Sequence, residues 1–138
     1  MSIIYSNKDL IDPNTGEVIG KVRPLIYISG PMFSQGHIVP NITAAVDIAH
    51  CVYRRGWAPV VPHLSILAEL MLGTADEEMW MNVHLSVVAG CKALVTTTPE
   101  WDAYTKEGKK TGTMREVELA ESLGLDIYNS WREVPWLS

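Results

Sequence analysis

Glu116 is the side chain whose position most needs a chemical explanation. On a helical wheel, Leu119, Ala120 and Leu123 fall at i+3, i+4 and i+7 from it, so Glu116 shares the stripe that should face inward. Glu118 and Glu121 point elsewhere and read as a solvated face. A carboxylate on a buried stripe is costly unless it is paired or put to use. The helix is expected to start at Thr113, which places Glu116 in its first turn, where the helix dipole favours an anion. Gly112 and Thr113 precede it: glycine lets a ligand approach the backbone, and the first free N–H groups can bind an anion or a hydroxyl. Two readings are open at this point, a reactive carboxylate and one that only stabilises a helix start. His84 has a similar ambiguity. It shares a helix face with Trp80, Val83, Val87 and Val88, as either a core histidine or a general acid titrating near neutrality. His63 follows Pro62 at the end of a strand, as a ligand contact or as a loop histidine packed on Trp80. Trp101, at the start of a loop, could stack on a flat ring or simply pack.

Other chemistries lack their patterns. His37, His50, His63 and His84 have no metal-ligand spacing, so no metal is expected. No GxSxG elbow supports a serine hydrolase. Gly108-Lys109-Lys110-Thr111 fails as a phosphate loop, because Ala103 stands where the upstream glycine belongs and two lysines follow Gly108. Lys109 and Lys110 could still meet a phosphate from a loop, or form a solvated charge run.

The elements that must hold these residues follow from the apolar pattern. Leu25-Ile26-Tyr27-Ile28-Ser29 suits a strand buried on both faces. After the loop Gly30–Gly36, Asn41 is expected to cap a helix carrying Ala44, Ala45, Ile48, Ala49, Val52 and Tyr53 at helical spacing, closed by Arg54-Arg55-Gly56. Ala58–Val61 predicts a strand, Leu64–Leu72 a short helix, Asp76–Ala89 a helix and Ala93–Thr97 a strand. The loop Pro99–Gly112, a helix over Thr113–Leu123 and a strand over Leu125–Tyr128 complete the pattern. Alternating strands and helices predict a flavodoxin-like (Rossmann-like) three-layer α/β sandwich with four or five parallel strands. Ligands then bind beyond the carboxyl ends of the strands. Residues 1–23 read separately: Asp12-Pro13-Asn14-Thr15-Gly16 between short β-prone runs predicts an N-terminal β-hairpin appended to a single domain over 24–138.

The segment Gly112-Thr113-Met114-Arg115-Glu116-Val117-Glu118-Leu119-Ala120 resembles the GTxxE-x-G-x-A signature of nucleoside 2-deoxyribosyltransferases. Ile26-Tyr27-Ile28-Ser29-Gly30-Pro31 is similar to that family's first strand and loop, and the elements between follow in the same order over roughly Leu25 to Tyr128. The Pro62-His63 pair brings it nearest to small phage-associated and bacterial relatives, in a superfamily that includes nucleoside 5′-monophosphate N-glycosidases. The resemblance implies that Glu116 is a nucleophile forming a glycosyl ester, resolved by water or a second base. It implies that Tyr27 contacts the sugar or the glutamate and that Gly112 and Thr113 line the sugar or phosphate pocket; Ser29, Gly30, Pro31, His63, Asn82 and Trp101 are the further residues expected around a nucleoside or nucleotide. No cofactor is implied, and a homo-oligomer is, with the hairpin or the Trp131–Trp136 tail at a contact. The sequence departs at His84, where the family commonly has an aspartate that positions the sugar and assists the base. That departure leaves a non-catalytic nucleotide-binding module, or a structural protein that keeps the fold, beside the enzyme.

Composition sets the outer limits. The chain has 138 residues, 47% of them hydrophobic, enough for one core without cross-links. Cys51 and Cys91 do not form a CxxC pair and read as free thiols in a reducing cytoplasm. No apolar run reaches membrane-spanning length and no signal-peptide pattern opens the chain, so a cytoplasmic protein without a membrane partner is expected. A net charge of −5 without a basic stripe argues against a nucleic-acid surface.

Overall fold

A computed structural model describes residues 8–31, 37–65 and 77–137. Four parallel strands form the central sheet: β3 (Leu25–Ser29), β4 (Ala58–Val60), β5 (Ala93–Thr96) and β6 (Asp126–Tyr128), in the order β4-β3-β5-β6. Ahead of them, β1 (Asp9–Ile11) and β2 (Val18–Lys21) form the expected hairpin as a separate antiparallel sheet. Its turn is set by Asp12, whose side chain accepts the Asn14 N–H at 2.8 Å, and by Gly16 at φ 74°, a left-handed conformation that glycine adopts without strain. Residues 3–5, also read as β-prone, lie outside the described residues, as does most of the short helix expected over Leu64–Leu72. Its first residues belong to a 3-10 turn, Pro62–Ser65.

Among the described residues three α-helices cover the sheet: α1 (Ile38–Arg54), α2 (Glu77–Ala89) and α3 (Gly112–Ser122). Strand alternation divides the core in two. Ile26 and Ile28 of β3, with Ala93 and Val95 of β5, meet Ala45, Ile48, Ala49 and Val52 of α1. Tyr27 and Leu94 point the other way and meet Val88 at the end of α2 and Val117 and Ala120 of α3. The chain steps from β3 outward to β4, then crosses back over β3 to β5. The strand order therefore reverses between the carboxyl ends of β3 and β5, the place where ligands bind in open parallel sheets.

Two expected boundaries move. The first helix starts at Ile38 rather than after an Asn41 cap: the Asn41 N–H already donates to the His37 carbonyl at 3.0 Å, so Asn41 is inside the helix. Pro40 does not prevent this, because N–H groups of a first turn have no intrahelical partner to lose. The last helix starts at Gly112, capped by Thr111, whose hydroxyl accepts the Met114 N–H at 3.2 Å. Among the described residues no helix is long and apolar enough to cross a membrane.

Candidate active site

The carboxyl end of β3 and the start of α3 bring three buried groups together. Glu116 is 4% exposed. Its Oε2 accepts a hydrogen bond from the Tyr27 hydroxyl, and its Oε1 accepts one from the Ser29 hydroxyl at 2.7 Å. Tyr27 and Ser29 are themselves fully buried. Glu116 lies inward as its wheel position predicts, with Val117 and Ala120, but the stripe turns outward at Leu123, which is 50% exposed. Because α3 begins at Gly112, Glu116 lies beyond the first turn, which contains no acidic residue. The helix dipole therefore does little for it, since that effect fades within a turn. The two hydroxyls take its place. Burial pushes the Glu116 carboxyl up to about 7, and the hydrogen bonds from Tyr27 and Ser29 act against that rise. Burial and the neighbouring carboxylate together raise the Tyr27 hydroxyl far above its ordinary range, so it stays a donor.

Beside Tyr27 is a mainly apolar, open cavity of about 150 Å³, lined by Val60, Val61 and Pro62 at the end of β4 and by Trp80, His84 and Val87 of α2. His63 is fully buried next to it, and its Nε2–H donates to the Pro31 carbonyl at 3.2 Å. That bond fixes the tautomer and leaves Nδ1 as a bare acceptor. Burial lowers the pKa of both His63 and His84, so both imidazoles are neutral. Among the described residues, four buried side-chain atoms have no hydrogen-bond partner: His63 Nδ1, Trp80 Nε1, His84 Nε2 and Thr96 Oγ1. Native proteins leave few such groups, and each asks for a reason. Here Trp80 and His84 line the cavity, His63 follows Pro62 in its wall, and Thr96 pairs in register with Ser29.

The other expected site residues divide. Gly30 is in close quarters: a Cβ there would come within 2.2 Å of the Thr97 hydroxyl. Gly112 packs against the end of the Met81 side chain, and Thr113 is buried on the inward side of α3. Trp101 packs, partly buried, on the core beneath α2 and α3. Asn82 is exposed on α2, and its carbonyl accepts from Ser86, so the structure does not bring its side chain into this group. Val83, expected on the same face as His84, lines the cavity but is 43% exposed. Lys110 is exposed and paired with Glu118 at 2.9 Å. Among the described residues no three His, Cys, Asp or Glu side chains form a metal-binding group. Thr96 escaped sequence reasoning, because a threonine in Ala93-Leu94-Val95-Thr96 reads simply as a good strand former.

A scan of family models gives no match to the sequence, and a search of curated proteins gives none. Among solved structures, the chain is similar to the 2-desoxiribosyltransferase from Leishmania mexicana, at a TM-score of 0.50 and 18% identity. The likeness covers 75% of this chain and 61% of that one. The α/β fold described above is thus one that this chain shares with a sugar-transferring enzyme.

Proposed function

We propose that the protein breaks the N-glycosidic bond of a nucleoside or nucleoside 5′-monophosphate, with Glu116 as nucleophile. The observation that carries this reading is the buried carboxylate with one hydroxyl on each oxygen, beside a mainly apolar cavity that Tyr27, Trp80 and His84 help to line. Each carboxylate oxygen keeps a further lone pair, so the hydrogen bonds aim the group without consuming it. One oxygen attacks the anomeric carbon as the bond to the base nitrogen breaks. The bonding pair leaves with the base, which takes up a proton, and a glycosyl ester remains. Water then releases the sugar and a proton, or a second base accepts the sugar with loss of its own proton; either way the carboxylate returns. Nε2 of neutral His84 and the Trp80 N–H, neither with a hydrogen-bond partner in the protein, suit the departing base. Glu118 and Asp102 are not in this cluster and have no assigned role.

The test is free-base release from nucleosides and 5′-monophosphates, ribo and deoxy, with and without an acceptor base. Release lost in Glu116→Ala supports the reading, and dependence on the acceptor separates transfer from hydrolysis. A second reading, a binding module, is favoured by one observation: a carboxyl near pH 7 is only partly ionised at neutral pH. Binding without release in the native protein would select it. We further propose a homo-oligomer. Leu10, Ile11, Val18 and Ile19 of the hairpin are each 47–61% exposed, and a two-stranded ribbon alone is marginally stable. A monomer by light scattering at micromolar concentration would contradict this.

A further inference from the structure

The Thr96 hydroxyl stands apart from the other groups of the site. Thr96 is 1% exposed, and its Oγ1 has no partner. In β5, Ala93 and Val95 face α1 while Leu94 faces α2 and α3, so alternation turns Thr96 toward the Glu116 side of the sheet. Its register partner is Ser29, which donates to Glu116 Oε1. Neighbouring strands are about 4.8 Å apart, so the backbones of Thr96 and Ser29 are one strand spacing apart. It also ends β5 at the point where the strand order reverses.

The protons of Tyr27 and Ser29 are both committed to Glu116. Thr96 has its own proton and its lone pairs free. Valine would fill the same space without burying an unsatisfied hydroxyl, which costs stability when no ligand meets it. The natural complement is a group that both donates and accepts, close to the carbon that Glu116 attacks. On a nucleoside the groups near that carbon which both donate and accept are the ring hydroxyls of the sugar. Resting on the glycosidic reading, we propose that Thr96 binds a 2′- or 3′-hydroxyl of the sugar and thereby sets which sugar the site accepts.

Thr96→Val tests this against the native protein, with a ribonucleoside, its 2′-deoxy and 3′-deoxy analogues, and a thermal melt. The melt should stay level or rise, because a buried orphan hydroxyl is gone. On the ribonucleoside kcat/KM should fall about ten- to hundredfold. On the analogue that lacks the contacted hydroxyl the native protein should already be slower, and the substitution should add nothing. An equal fall on all three substrates, or no fall on any, overturns the proposal. Glu116→Ala keeps the two ideas apart. Base release lost in Glu116→Ala and untouched in Thr96→Val defeats the role of Thr96 and leaves the glycosidic reading standing. If the native protein releases no base, that reading fails, and calorimetric binding of the three nucleosides decides Thr96. Equal affinities for native and variant, or no binding at all, then overturn it.

Discussion

The two faces of one sheet differ more than any two elements of this protein. β3 sends Ile26 and Ile28 toward α1 and sends Tyr27 and Ser29 toward α2 and α3. On the α1 side, aliphatic side chains and Trp57 interlock, and the Trp57 N–H is satisfied by the Pro135 carbonyl at 2.9 Å. Arg55 straps the tail to the same side, donating to the Trp131, Arg132 and Val134 carbonyls and lying over the rings of Trp131 and Trp136. On the other side, a carboxylate and two hydroxyls are buried, and polar atoms are left without partners. One face is built to hold the fold. On the proposed function, the other gives up stability for groups that would meet a ligand, the compromise expected of a functional site.

Substitutions on each face should separate these roles. The largest effect is expected at Glu116: Glu116→Gln should lower base release at least about a thousandfold, seen in single-turnover assays, while the folded structure persists. On the opposite face Trp57→Ala should cost about 3–5 kcal/mol in urea unfolding and leave nucleoside affinity of the folded protein unchanged. A loss of affinity there would break the division between the faces.

Protonation sharpens the contrast. Glu116 is raised from 4.5 to about 7 in the folded protein. Below 4.5 both states hold the proton; between 4.5 and 7 the unfolded chain loses it first, so stability should fall as pH rises through that window, by up to about 3 kcal/mol. Glu116→Gln should lack that slope in denaturation curves collected across pH. Activity should run in the opposite sense, since only the carboxylate attacks: kcat/KM should rise about tenfold per pH unit up to about 7 and then level. The smallest effect concerns Ser29→Ala, which removes a bond to the charged form and should move the midpoint of that pH profile upward, by about one unit or less. An unmoved midpoint would mean that Ser29 only fills space.

Much of this was legible in the chain itself. Leu25–Ser29 and Ala93-Leu94-Val95 are continuous apolar runs between turn residues, and such runs form buried parallel strands; the inward place of Glu116 follows from Leu119 and Ala120 on its own helix, while Leu123 turns outward. These are local patterns, fixed by the 2.0 and 3.6 periodicities of the backbone. Helix starts were less legible, because Pro40 and Gly112, which usually mark boundaries, are compatible with a first turn that needs no donors. What only the tertiary structure decided is non-local. Tyr27 and Ser29 lie 89 and 87 residues from Glu116, and no spacing rule connects them. The raised carboxyl, the fixed tautomer of His63 and the meeting of Thr96 with Ser29 all depend on strand register and burial, which arise when distant segments pack.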